Sequence, residues 1–467
     1  MKAKRIGISI LTLCLLVIAC ITLVQIFSWR EVKITLDTNY LDFISQNQMK
    51  EKGHFATLPE FDSEVSIGFQ NIDKTKTLYI YSAPIRFLNS DNSYSFIDSR
   101  IINTPEGEAR DHGYIYTVAQ NNVVPYFPKK LSDKKGILLC QDDLQLHFIP
   151  QTENSALAEY KTENNFIDKE LPMVLYRKIF QDEDNLAVYP TSLGFNMEYS
   201  GKFNSNCIMK FNLQIREEDI LIRRENGGYL VLYKNEIDNQ GNSQETILSI
   251  IHPPLIHIDN TILYGNHVEF KKIAAQEYTI SFSVHNDADI IGKRGTSFIS
   301  VEMRKEKQAD NTLYSKHPFL TNIYLSNYAV LGESQDLGIG EALIRYKFVK
   351  NFNLSSEQII SAKYYTYCLT KNHYEYEVLP MLEDWCSITG NWSKNYKTGE
   401  SFYNTVSSTN IICLDLTKEA QKWCMDDGQM EHNGIKLKQK EEKEGAYDVF
   451  LTNDNTLYKN VTEVVLK

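Results

Sequence analysis

Ten histidines, sixty carboxylates, eight cysteines and four tryptophans are the residues of this 467-residue chain that could do chemistry. Their spacing supports little of it. His252 and His257 stand five apart, which suits neither one face of a strand nor one face of a helix, and no HExxH occurs. No G-x-S-x-G puts a serine on a nucleophile elbow. The glycines from Gly332 to Gly340 have neither phosphate-loop nor dinucleotide spacing. Glycosidases use two carboxylates that are defined in space and not in sequence. Asp142-Asp143, Glu217-Glu218-Asp219 and Asp426-Asp427 are the pairs on offer, and each reads more simply as a solvated turn. The expectation is a protein that binds and does not catalyse.

Binding would fall to aromatic rings. A tryptophan face stacks on the C–H face of a sugar, and neighbouring amides and acids take its hydroxyls; buried, the same ring is core. Trp385, Trp392, Tyr365 and Tyr367 are the candidates for ligand contact. Alternation along a strand puts Tyr365 and Tyr367 on one face and Tyr364 on the other, and one of those faces is expected to be open. Asp415 and Thr417 flank Leu416 where a strand turns into a short helix, so their expected task is to satisfy backbone donors. The alternative is a structural Ca²⁺ site, which needs several oxygens in one cavity; Asp415, Asp426, Asp427 and Asn433 would supply them. No other cofactor is expected. Cys140, Cys207, Cys368, Cys386, Cys413 and Cys424 show no CxxC spacing and read as buried free thiols; Cys413 and Cys424 are also near enough in sequence for one disulfide.

The elements that must position these residues are strands. Thr77–Tyr81, Gly136–Leu139, Leu144–Phe148, Cys207–Leu213, Gly228–Tyr233 and Glu277–Val284 alternate apolar with polar, or form short apolar runs. Turn residues such as Asn89-Ser90-Asp91-Asn92 and Asn239-Gln240-Gly241-Asn242 separate them. Helical period is scarce, the best candidate being Thr417 to Cys424. Aromatics at 12% suit pleated surfaces. The fold class expected is all-β: consecutive antiparallel β-sandwich domains, the C-terminal one jelly-roll-like, after one N-terminal transmembrane helix. The net charge of -11, with no long basic run, argues against nucleic acid as a partner.

That helix is read from Lys2, Lys4 and Arg5, followed by an apolar run over residues 6–27 that would span about 33 Å as a helix. Trp29 follows at interface depth, and the leading cations keep the N-terminus cytoplasmic and the bulk extracellular. An uncleaved single-pass anchor in the cell membrane is expected; lipidation at Cys20 and a cleaved signal peptide are the alternatives. The expected division is an anchor at 1–30, a polar stalk at 31–60, an N-terminal β domain at 61–150, a middle β-sandwich at 151–310 and a C-terminal module at 311–467. The polar stretch 151–169 reads as a long loop or joint, and Arg304 to Asn311 as a linker.

In the last third the residues become more specific. Val330-Leu331-Gly332, Ala342-Leu343-Ile344-Arg345-Tyr346, Ile360-Ser361-Ala362-Lys363-Tyr364-Tyr365, the pair Trp385 and Trp392, Leu414-Asp415-Leu416-Thr417, Trp423 and His432-Asn433-Gly434 follow one another in order. This series resembles DNRLRE-type modules across about residues 312–467, including that family's "l-x-v-G" turn. The resemblance implies a jelly-roll-like β-sandwich at the cell surface and, for some relatives, carbohydrate binding. Upstream, Ala83-Pro84-Ile85-Arg86-Phe87, Tyr94-Ser95-Phe96-Ile97-Asp98, Val123-Val124-Pro125-Tyr126-Phe127-Pro128 and Val188-Tyr189-Pro190 resemble the lead-in of bacterial wall-associated surface proteins of the Rhs/YD-repeat kind. That resemblance implies a display region on its own anchor. A glycan, a cell-wall polymer or a surface-protein partner is the expected target.

Overall fold

The computed structural model describes residues 53–467 except 165–169, 204–206, 218–219, 226–227, 238–242, 259–260, 264–266, 284–290, 304–309, 317, 319–327, 336, 346–351, 353, 386–389, 425–432 and 454–458. The anchor expected over 6–27 therefore lies outside the described residues. Among the described residues no helix is long and apolar enough to cross a membrane.

Antiparallel sheets make up most of the described chain. Each alternating segment becomes a strand: Lys76–Tyr81, Ile137–Gln141, Leu144–Pro150, Cys207–Arg216, Leu230–Ile237 and Glu277–Ser283. In the clearest, Tyr278, Ile280 and Phe282 point into a core while Glu277, Thr279 and Ser281 are half-exposed. Thr417–Trp423 is an α-helix, as expected; Leu416 holds the N-cap position without a side-chain cap hydrogen bond, and Asp415 takes the Thr417 N–H instead.

The described strands assemble into four large sheets. An eight-stranded sheet runs His267–Ala274, Glu277–Ser283, Cys207–Arg216, Leu144–Pro150, Ile137–Gln141, Val123–Pro128, Tyr114–Gln120, Asp98–Asn103. One face of it packs on an eleven-stranded sheet through Phe148, Phe211 and Phe282 on one side and Phe195, Val188 and Ile299 on the other. The opposite face of the eleven-stranded sheet, through Leu171, Met173, Leu175 and Tyr189, covers a six-stranded sheet at Ile67, Phe69, Tyr79 and Tyr367. The far side of that sheet, with Leu78, Tyr364, Leu414 and Val464, packs on a seven-stranded sheet at Leu331, Tyr376, Leu437 and Phe450. The result is a stack of four layers with three cores.

The layers do not follow the expected division of the chain. In the six-stranded sheet Lys76–Tyr81 pairs with Val461–Leu466, which in turn pairs with Ile359–Tyr367. The first described strands thus complete the C-terminal sandwich. Leu144–Pro150 pairs with Cys207–Arg216 across the boundary expected at 150. His54–Thr57 is already a strand, so the stalk does not reach residue 60. The polar stretch 151–169 holds the strand Ser155–Asn164, which pairs with Glu170–Arg177. Alternation marks which face of a strand is buried, but not its partner. A strand like Ser155–Asn164, in which only the small Ala156 and Ala158 reach the core while Leu157 and Tyr160 are exposed, shows no clear apolar alternation. The linker expected at 304–311 lies outside the described residues up to 309 and ends in the strand Asp310–Tyr314. Gly332 sits inside the strand Tyr328–Ser334 and not in a turn. Its φ of +104° and its closeness to the Ala446 carbonyl, which a Cβ would meet at 2.4 Å, require glycine.

One buried carboxylate makes stability depend on pH. Asp184 accepts the backbone N–H groups of Phe180 and Gln181 through Oδ2, both at 2.9 Å, while Oδ1 has no hydrogen-bond partner among the described residues. Burial raises its pKa from 3.8 to about 6, against the backbone hydrogen bonds, which lower it. The folded chain then holds this proton more tightly than the unfolded one. Its contribution is full below about pH 4 and is lost as pH rises through about 6, a fall of about 1–2 kcal/mol once partial solvation is allowed for. Asp184→Asn keeps an acceptor for both N–H groups and is expected to flatten that part of the curve of urea midpoint against pH. An unchanged slope would assign the fall to another group.

Candidate functional site

The four aromatic residues proposed from the sequence fall into two places, and neither is an open platform. Trp385 is 4% exposed, in a cluster with Leu313, Leu343, Met381 and Tyr396. Its Nε1 donates to the Asn433 carbonyl at 2.7 Å, and the Arg345 guanidinium lies 4.9 Å from its ring centroid. Arg345 also donates to the Trp385 carbonyl at 2.7 Å and to Asp384. Trp392 is half-buried against the same cluster. The outer face of the seven-stranded sheet is apolar at Leu313 and Leu343, and the segment bearing Met381, Trp385 and Tyr396 closes over it. Trp385→Phe should cost about 1–3 kcal/mol by leaving the Asn433 carbonyl without its donor, and should leave ligand affinity unchanged. Urea unfolding and a binding titration on one sample check both halves; lost binding at unchanged stability would restore Trp385 as a contact.

Tyr365 and Tyr367 do share a face, with Tyr364 on the other, as alternation predicts. Neither face is open. Tyr367 is 1% exposed beneath the eleven-stranded sheet, and Tyr365 packs half-buried at the rim of the same core. Tyr364 faces the seven-stranded sheet and donates to Asn453 Oδ1 at 2.9 Å.

The Ca²⁺ alternative has less to work with. Asp415 Oδ1 accepts from the Thr417 N–H at 3.0 Å and from Thr417 Oγ1 at 2.7 Å, and Thr417 Oγ1 takes the Ala362 N–H at 3.0 Å. Asp415 therefore satisfies the start of the helix, the structural role expected of it. The Asn433 carbonyl is taken by Trp385, and Asp426 and Asp427 lie outside the described residues. Among the described residues no group of three or more His, Cys, Asp or Glu side chains is placed to hold a metal. Of the other acidic pairs, Asp142 and Asp143 are exposed in the turn after Ile137–Gln141, and Glu217 pairs with Lys234 at 2.5 Å. The described cysteines, Cys413 and Cys424 among them, are free thiols; burial pushes Cys424 up to about 11.

The arrangement best suited to contact lies on the outer face of the eight-stranded sheet. Tyr126, Leu138, Cys140 and His147 are half-buried there, and Gln214 is exposed. Leu138 stands opposite Tyr126 on one side and His147 on the other. The opposite face of these strands is the densest core of the chain, so the platform is rigid. Tyr114 closes one corner, its ring 5.9 Å from Tyr126 and tilted by 55°. His147 Nε2 accepts the Gly136 N–H at 3.1 Å and lies 3.2 Å from the Tyr114 hydroxyl, which donates to it. Burial and the nearby Lys135 charge lower the His147 pKa, so the imidazole is neutral and Nε2 stays an acceptor. The Lys135 ammonium lies over the Tyr114 ring at 3.9 Å from its centroid, and burial lowers its pKa too. Amides continue the face: Arg216 donates to Gln145 at 3.3 Å, Gln214 to Glu277 at 3.2 Å and Gln151 to Asn212 at 2.5 Å.

The strand Leu144–Pro150 was legible from its alternation, which already placed Gln145 and His147 on its polar side. Nothing local announced that Tyr126 and Tyr114 would stand beside them, because that depends on the pairing of four strands.

No family model matches the chain, and no curated protein matches it. Among solved structures, the N-terminal domain of the Streptococcus gordonii adhesin Sgo0707 aligns with 88% of this chain and 91% of its own, at 7% identity and a TM-score of 0.17. A score that low carries no argument about fold or function.

Proposed function

We propose that this chain is a non-catalytic binding protein, held at a bacterial cell membrane by residues 6–27 and displayed outside the cell for adhesion or glycan contact. The observation that carries the reading is the outer face of the eight-stranded sheet: half-exposed Tyr126 and Leu138 beside an amide-rich row, backed by close-packed core. A flat face of this kind meets a ligand by stacking and hydrogen bonds and needs neither cofactor nor covalent step. Screening the full-length protein against an array of glycans tests it. Binding to a subset of sugars is expected, with loss on Tyr126→Ala; uniform silence would remove the glycan part. Protease treatment of intact cells tests display, the bulk of the chain being expected to be degraded while the membrane stays closed.

A second reading is a scaffold that positions a surface-protein partner. The continuous stack favours it, because the six-stranded and eleven-stranded sheets share one core and tie the two sandwiches together. A rigid spacer requires such a joint. Loss of a co-purifying surface protein on disrupting that core, with glycan binding absent, is the result that would select this reading.

A further inference from the structure

We propose that Lys135, Tyr114, Tyr126 and His147 form a subsite for an acidic sugar: a pyranose ring carrying a carboxylate or a sulfate. The inference rests on the binding reading above and adds the chemical class of its ligand. It begins with Lys135. Its backbone is held by two hydrogen bonds with Ser132, at 3.0 and 3.1 Å, which place the side chain over Tyr114. It is half-buried, and no carboxylate among the described residues pairs with it. A partly desolvated ammonium with no carboxylate beside it is stabilised by an incoming anion.

Its surroundings favour the same sign. Lys129, Lys130 and Lys134 are exposed at this corner and likewise have no ion pair among the described residues; Asp133 is the acid between them. Four cations against one acid over residues 129–136 stand out on a chain whose net charge is -11.

A bare phosphate, or a nucleic-acid backbone, would use the lysines and nothing else here. The rest of the corner fits a sugar. Tyr126 offers a half-exposed ring next to Leu138, which suits the C–H face of a pyranose. Gln145, Gln214 and Asn212 continue along the same face and match hydroxyls. His147 fixes the geometry, since Nε2 is taken by Gly136 and Tyr114. A polymer of acidic sugars laid along the sheet would meet the cation, the ring and the amides in turn.

The test is calorimetric titration of the full-length protein in detergent with three hexasaccharides: oligogalacturonate, a sulfated galactan and uncharged maltohexaose. At least one acidic hexasaccharide is expected to bind, more weakly as salt rises, and maltohexaose at least about tenfold less well. Lys135→Met keeps the apolar stem over Tyr114, and Tyr126→Ala removes the stacking ring. Each should weaken acidic binding by about tenfold or more, while Trp392→Ala leaves it unchanged. Near-UV circular dichroism confirms that the variants fold. Equal affinity in Lys135→Met and the parent overturns the assignment, as do equal affinity for maltohexaose and equal affinity for single-stranded DNA of matched charge. If neutral glycans bind and depend on Tyr126 but not on Lys135, the acidic subsite is wrong and the binding reading survives. Silence towards both acidic hexasaccharides also overturns the subsite, and silence on the glycan array as well removes both.

Discussion

Replacing Glu341 by alanine is expected to lower the unfolding free energy by about 3–5 kcal/mol. Glu341 and Lys436 stand on the outer face of the seven-stranded sheet, 8% and 9% exposed, with Oε2 and Nζ 2.7 Å apart. Glu341 is in register with Leu313, and Lys436 with Leu343, both members of the apolar cluster that Trp385 closes. Farther along the same face the pairs Lys438–Glu377, at 3.5 Å, and Lys440–Glu375, at 2.9 Å, are progressively more open to water. In the exposed pairs water replaces a lost partner at little cost, so Glu375→Ala should cost less than about 1 kcal/mol. At Lys436 the truncation leaves an ammonium in an apolar setting with its carboxylate gone. The double change Glu341→Leu with Lys436→Met removes both charges and should return to within about 1–2 kcal/mol of the parent. Urea midpoints of the three variants check this; a double variant no more stable than Glu341→Ala alone would show that packing, and not the stranded charge, sets the loss.

The second large effect concerns the two ends of the described chain. A fragment of residues 311–467, the module boundary that the sequence suggests, is expected not to fold cooperatively. Val461–Leu466 lies between Lys76–Tyr81 and Ile359–Tyr367, so cutting away the early strands strips one side of it of hydrogen bonds. The core of that sandwich also loses Phe61 and Leu78, both buried. At about 1.5–3 kcal/mol for each buried side chain, with a whole row of backbone pairing lost besides, the deficit reaches the 5–15 kcal/mol that holds a domain together. Adding residues 53–97 to the fragment should restore a single sigmoidal transition and dispersed amide resonances. A fragment of 311–467 that melts cooperatively by itself would refute the shared sheet.

Several features were open to reading before any fold was known. Two-residue alternation in Glu277–Ser283 and Leu144–Pro150 marked strands and their buried sides, and Asp415 with Thr417 marked the start of the helix Thr417–Trp423. These are local matters: a strand's pleat and a helix's first N–H groups involve residues one to four apart. The separation of Tyr365 and Tyr367 from Tyr364 was legible for the same reason. Whether either face met water was not, because Tyr367 is covered by Leu171, Met173 and Leu175, far upstream, and Tyr364 by Leu331, Tyr376 and Phe450 of another sheet. The polar strand Ser155–Asn164 carried no clear periodic signal, since only the small Ala156 and Ala158 reach the core and backbone pairing to Glu170–Arg177 holds the rest.

By itself, then, the sequence determined the elements: short antiparallel strands with a defined inner face, one short helix, and aromatic residues to fill the layers. Tertiary structure alone decided which strands became neighbours, so that Tyr79 lies opposite Glu463 and the chain's early and late strands share a sheet. It likewise buried Trp385 and Tyr367 and gathered Tyr126, Lys135 and His147 on a free surface. The reason is physical. Alternation states that a face must be covered, but many apolar faces could cover it, and the choice is made by the joint packing of all the layers against the cost of closing long loops.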